Sequence, residues 1–173
     1  NSFFNSTNSE ELNERIELII KNKIPCYFIS PHLDDAVFSA GSLISHLSKY
    51  TDVNVISVFT KSLKHKTLSI RGFLMQCGYK DAKELFDKRR EEDIKVCKSV
   101  GAKAIHLGFV DALWRIKKVG ILRNLLSSIL PELKSVYPTH RLHVGKGVIS
   151  PSDDITILET KSTLEKVIKL TAK

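Results

Sequence analysis

The sequence predicts an α/β fold, a Rossmann-like parallel sheet with flanking helices, and three observations lead there. Short apolar runs of strand length alternate with longer segments of helical periodicity. Their order, strand, helix, strand, helix, strand, implies parallel pairing through right-handed crossovers. The first apolar run ends directly in a histidine and two adjacent carboxylates, His32, Asp34 and Asp35, at the strand end where open α/β sheets bind ligands.

Taken in order, Glu10 to Asn22 is an amphipathic helix carrying Leu12, Ile16 and Ile19-Ile20. Pro25 to Ser30 is the first strand, and Asp35 to Tyr50 the next helix. Asp52 to Phe59, with Val53, Val55 and the run Ile56 to Phe59, is the second strand. Lys61 to Lys80 is expected as a loop or lid. Asp81 to Val100 is a helix closed by Gly101 at the position after its C-cap, and Ala104 to Leu107 is the third strand. Beyond it, Val119 to Val136 is expected as a helix interrupted by Pro131, and Pro151 to Ala172 as a helix capped by Ser152, with no further convincing strand. A doubly wound sheet does not normally stop on a helix that has no strand to return to. The expectation is therefore one domain over residues 1–173 that ends before its sheet is complete, with residues 1–9 flexible and an exposed sheet edge open to homo-oligomer formation. No Gly-x-Gly-x-x-Gly follows the first strand, which argues against a dinucleotide.

At 173 residues the chain is long enough to bury its own core, and no apolar run approaches the ~20 residues of a membrane span. Asn1 to Thr7 lacks a basic region followed by a long apolar core, so no signal peptide is expected, and the absent initiator Met points to trimming or to residues left over from expression. Cys26, Cys77 and Cys97 are odd in number and scattered, which favours reduced thiols and a cytoplasmic location; Asn5-Ser6-Thr7 matches a glycosylation sequon with nothing else to suggest secretion.

The net charge of +8 raises the question of nucleic acid. Five basic residues, Lys61, Lys64, Lys66, Arg71 and Lys80, fall in one stretch without an acidic one, and only Phe73 and Tyr79 could stack bases there. This is a basic loop rather than a recognition helix, so no nucleic-acid partner is expected; a solvated surface, or attraction of an anionic substrate such as a nucleotide-sugar, accounts for it.

His32, Asp34 and Asp35 allow two chemistries. As a metal site, His32 and Asp35 are ligands three residues apart and Asp34 is a free general base. As a helix cap, the carboxylates complement the macrodipole and satisfy orphan amides. In the Asp81 helix, Ala82, Leu85, Phe86, Val96, Cys97 and Val100 form an apolar stripe that Arg89 and Asp93 interrupt. Those two are either an (i, i+4) pair or a functional arginine with a neighbour.

Ser30-Pro31-His32-Leu33-Asp34-Asp35 resembles the Pro-His-x-Asp-Asp signature of the LmbE and PIG-L-like zinc-dependent N-deacetylases, which remove acetyl groups from N-acetylglucosamine-containing substrates. Arg89 to Asp93 is similar to that family's Arg-x-x-Glu helix, and His106 to Arg115 to its Leu-Gly-Phe-x-Asp-Ala strand end, so the resemblance spans roughly residues 24 to 118. It implies one Zn2+ held by His32 and Asp35, Asp34 as catalytic base, and an amino-sugar or nucleotide-sugar-like substrate contacted by Arg89, Asp111 and Arg115, the last suited to a phosphate or carboxylate. Glu92 matches the motif Glu and is expected to be structural; Trp114 is a stacking wall or a core residue, and Thr60 a weaker candidate of the same strand edge.

Two departures qualify the resemblance. The motif's usual Glu is Ala36 here, and the C-terminal Gly-x-His-x-Asp-His stretch that supplies the family's third ligand is missing. Among His46, His65, His106, His140 and His143, the pair His140 and His143 is the candidate replacement. The expected function is metal-dependent removal of an N-acetyl group from an N-acetylglucosamine-type amino sugar or glycoconjugate. The alternatives are a degenerate or truncated binding and assembly domain, and phosphoryl hydrolysis by the same base and metal.

Overall fold

Three parallel strands form the sheet, in the order β1-β2-β3. A computed structural model describes residues 6–138 and 145–171; His140 and His143 lie outside them. The elements are α1 (Ser6–Lys21), β1 (Cys26–Ser30), α2 (Asp35–Leu47), β2 (Val53–Lys61), α3 (Leu68–Gln76), α4 (Ala82–Ser99), β3 (Lys103–Val110), α5 (Ile121–Leu126) and α6 (Asp154–Thr171). Short 3₁₀ turns cover Ala112–Trp114, Pro131–Lys134 and Pro151–Asp153.

β2 is central because its side chains are apolar or small on both faces: Val53 to Val58 and Thr60 are all buried. A parallel strand covered on both sides needs such a run rather than an alternating one. β1 is an edge strand whose outer side has no partner among the described residues. β3 carries an irregularity near its end, where Gly108 takes φ +76° and its amide donates to Thr60 Oγ1 at 3.0 Å. A residue with a Cβ resists that conformation, so the glycine lets the strand bulge and re-aim the chain toward Asp111.

Two apolar clusters hold the layers. Ile44 and Leu47 of α2, Val53 and Val55 of β2 and Cys97 of α4 form one, with Ile16, Ile19 and Ile20 of α1 packed on it. The other joins Ile70 and Leu74 of α3, Leu85 and Phe86 of α4, and Leu113 and Trp114 to Leu33 from the loop after β1. Trp114 is 1% exposed and meets Phe73 and Phe86 edge-on, so it is a core residue and not a wall for a sugar ring. Truncating such a side chain costs about 3–5 kcal/mol, and this cluster fixes both loops that bear ionisable groups.

Three expectations are corrected here. The stretch from Lys61 to Lys80 is not all loop: α3 lies within it, started by Thr67, whose hydroxyl accepts from the Ile70 amide, and held by buried Ile70 and Leu74. Val119 to Val136 is not one helix but α5 and a 3₁₀ turn, because Ile121, Leu122 and Leu125 stay exposed and so bury too little to repay propagation. The last helix begins at Asp154 behind the 3₁₀ turn, and Ser150 rather than Ser152 caps that turn.

Candidate active site at the ends of the strands

The loop from β1 to α2 is built by the residues next to its ionisable groups. Ser30, fully buried, donates its hydroxyl to the His32 carbonyl at 2.6 Å and accepts from the Ala36 amide at 3.0 Å. The Phe59 amide donates to the Pro31 carbonyl at 2.9 Å, tying the loop to β2. Asp34 stands at the N-cap of α2 with φ 86° and makes no side-chain capping bond. Left-handed backbone at a non-glycine residue is costly, and such residues persist only where their surroundings hold them. The Asp34 amide donates to Asp93 Oδ1 at 3.3 Å, from α4, and its carbonyl accepts from Phe38 at 3.0 Å.

His32 lies between two carboxylates. Its Nδ1 is 3.1 Å from Asp35 Oδ2, which also accepts from the His32 amide at 3.1 Å. Its Nε2 is 3.4 Å from Asp111 Oδ2 at the end of β3. The other oxygen of Asp111 accepts from the Leu113 amide at 2.9 Å, so its turn-capping role coexists with a place beside His32. Partial desolvation pushes the Asp34 carboxyl above its ordinary value; Arg89 opposes the rise, Asp35 and Asp93 add to it, and His32 opposes it. His32, Asp34, Asp35 and Asp111 thus meet at one sheet edge, with Arg89 within electrostatic reach.

Arg89 is half-buried, with its guanidinium carbon 6.0 Å from the centre of the Phe73 ring. It does not pair with Asp93. That buried carboxylate instead bonds His106 Nε2 at 2.7 Å, a tertiary partner that the helical spacing of Arg89 and Asp93 could not reveal. Arg115 covers the Phe59 ring at 4.6 Å, which also neighbours the His32 ring at 6.0 Å between centroids, and it pairs with buried Asp153 and donates Nε–H to the Val110 carbonyl at 2.9 Å. Tyr137 donates to the same Asp153 at 2.6 Å. Glu92 is exposed. Thr60 is buried, its carbonyl accepting from Arg90 at 2.7 Å. Ser30 is the site-building residue that sequence reasoning missed, with a serine closing a strand as its local signal; Asp93 was legible as a charge interrupting an apolar stripe, but its bond to His106 was not.

Imidazole nitrogen and carboxylate oxygen are zinc donors by type. His32 and Asp35 supply two, and among the described residues no three His, Cys, Asp or Glu side chains group to hold an ion.

Residues 27–154, well over half of the chain, match the family model PIG-L, described as GlcNAc-PI de-N-acetylase. The chain belongs to the PIG-L family. A relative in Streptomyces fradiae, a 2'-N-acetylparomamine deacetylase, is 32% identical over 85 residues, which is 49% of this chain and 28% of that protein. Among solved structures, the deacetylase of teicoplanin biosynthesis in complex with teicoplanin shares 26% identity at a TM-score of 0.50, over 54% of this chain and 37% of that one. The A40926 pseudoaglycone deacetylase Dbv21 is 28% identical at a TM-score of 0.49, over 66% and 49%. The chain thus spans less than half of the length of the paromamine deacetylase and of the teicoplanin deacetylase that it matches. No helix among its described residues is long and apolar enough to cross a membrane.

Proposed function

We propose that this protein is an amide hydrolase that removes the N-acetyl group from an N-acetylglucosamine-type amino sugar or glycoconjugate. The observation that carries the proposal is the meeting of His32, Asp34, Asp35 and Asp111 at one sheet edge in a PIG-L chain. Asp34 is the base: it takes a proton from water as the oxygen attacks the acetyl carbon, and returns it to the nitrogen as the C–N bond breaks, giving acetate and a free amine. Because the amide of Asp34 is fixed by Asp93, its carboxylate is aimed without a capping bond of its own. Asp111 and Arg89 are placed to bind hydroxyl or acetyl oxygens of the sugar, while Arg115 supports the wall behind Phe59. Zinc would be held by His32 and Asp35 with a third donor outside the described residues, where His140 and His143 lie, and when bound supplies Lewis acidity toward the acetyl carbonyl.

The test is amine release from N-acetylglucosamine and its glycosides by zinc-supplemented protein, with bound zinc measured on the same samples. His32→Ala and Asp35→Ala should lose zinc, whereas Asp34→Asn should retain it and lose turnover by about 10²- to 10⁴-fold. Zinc lost in Asp34→Asn and kept in Asp35→Ala would reverse the two roles. A second reading, a binding domain without turnover, is favoured by Ala36 standing where the resembled motif has Glu; absence of amine release from fully zinc-loaded protein would select it.

A further inference from the structure

A cavity of about 1100 Å³ opens beside α4, bounded by the segment after β2, the start of α4 and the end of β3. None of His32, Asp34, Asp35, Arg89 or Asp111 lines it. The two regions meet at His106, which bonds Asp93 and also lines the cavity, but they use different residues of α4: Asp93 holds Asp34, whereas Lys83, Phe86, Asp87 and Arg90, spaced i, i+3, i+4 and i+7, wall the cavity.

The charges around this cavity do not cancel. Asp87 is taken by Lys83 and Arg90 together, which keeps its carboxyl below the usual range chiefly through the Lys83 bond. Asp81 spends an oxygen capping α4 at the Glu84 amide. Glu132 is engaged by the Leu68 amide and lies within the field of Arg71. Lys61, Lys64 and Lys66 also line the cavity and have no acidic partner among the described residues. Three like charges within six residues repel one another, and a concave apolar wall, here Leu63, Leu74 and Phe86, focuses their field on whatever enters.

We infer that this cavity is a separate binding site for a phosphorylated small molecule, of a size up to a nucleoside diphosphate. Lysines act as mobile point charges that follow a multiply charged phosphate, and the volume lies just above the range of pockets that enclose small ligands, so it has room for one of nucleotide size. Nucleic acid is the poorer occupant, because Phe73 and Phe86 are spent edge-on against Trp114 and Tyr79 packs on the same core, so none of these three rings offers the cavity a free face for bases.

The probe is pyrophosphate, titrated into the ¹⁵N-labelled chain. Amide shifts should concentrate in residues 61–71 and 83–90 and saturate, and added salt should weaken them. Lys64→Glu/Lys66→Glu should lower the affinity at least about tenfold, while Lys21→Glu/Lys49→Glu, an equal change in net charge on exposed residues elsewhere, should alter it less than about twofold. Equal weakening by both pairs, non-saturating shifts, or shifts centred outside the cavity would each overturn the site. A parallel titration with N-acetylglucosamine 1-phosphate separates the sources: shifts that also reach Asp34 to Ala36 assign the phosphate to the substrate of that loop, and shifts confined to the cavity assign it to a second ligand. Neither readout depends on turnover, so failure of the hydrolase proposal leaves this one standing.

Discussion

Replacing Asp93 with alanine tests how the candidate base is held. Asp93 is 5% exposed, and its two oxygens serve different elements, His106 on β3 at 2.7 Å and the Asp34 amide at 3.3 Å. Truncation removes a bond to a charged acceptor, worth about 1.5–3 kcal/mol, and strands the Asp34 N–H and the His106 ring, at roughly 1–3 kcal/mol for a buried polar group left unsatisfied. Measured losses on removing one partner of a buried charged pair, which already include relief from holding a carboxylate out of water, are about 3–5 kcal/mol, a large part of the 5–15 kcal/mol typical of a domain. Asp93→Asn keeps an oxygen for Asp34 and offers an N–H to His106 in its other tautomer, so it should cost only about 1 kcal/mol. Urea unfolding at neutral pH measures both, and the Asp34 amide resonance should move in the alanine variant and stay near its original position in the asparagine one. A loss below about 1 kcal/mol for alanine, or equal losses for the two, would refute the idea that hydrogen-bond geometry at Asp93 dominates.

Gly101→Ala should destabilise the chain by at least about 2 kcal/mol in the same assay, because Gly101 has φ +78° and an added Cβ would stand 2.6 Å from Ser48 Oγ, which now donates to the Val100 carbonyl; an unchanged midpoint would mean that the turn relaxes freely. Cys97 should resist iodoacetamide at pH 8 in the folded protein, since burial, with the Asp93 charge adding to it, pushes its thiol up to about 11. Mass spectrometry should find Cys97 alkylated only after denaturation, and rapid native labelling there would contradict the packing of the α2 cluster.

What was legible in the sequence depended on how far apart the cooperating residues lie. β2 is evident because its burial is local, one unbroken run from Val53 to Val58. α3 had a signal as well, with Ile70, Phe73, Leu74 and Cys77 at helical spacing behind Thr67, but lysines before it and glycines at 72 and 78 resemble a loop. The opposite error arose at residues 119–136, where helical spacing was present and a partner surface was not: Ile121 is 92% exposed and Leu125 72%. Periodicity marks what a segment could bury, and only the tertiary structure decides whether it does.

The same distinction runs through the site. His32, Asp34 and Asp35 are contiguous, so their proximity needed no fold, whereas Asp93 is 59 positions from the amide it accepts and 13 from the histidine that orients it. Helical spacing made Arg89 the natural partner of Asp93, yet His106 takes that place because a half-buried ring can satisfy a buried carboxylate while Arg89 keeps its charge on Phe73 and toward Asp34. The outcome separates two tasks within α4: Asp93 sets the backbone of the candidate base and Arg89 sets its field. The strain at Asp34, φ 86°, is thus held both by bonds within the loop, from Ser30 and His32, and by one bond from another element, Asp93 of α4. Mutations at Asp93 should therefore mimic loss of Asp34 in turnover while leaving the carboxylate itself in the chain, and that dependence ties the α/β packing of α4 directly to the chemistry proposed at the end of β1.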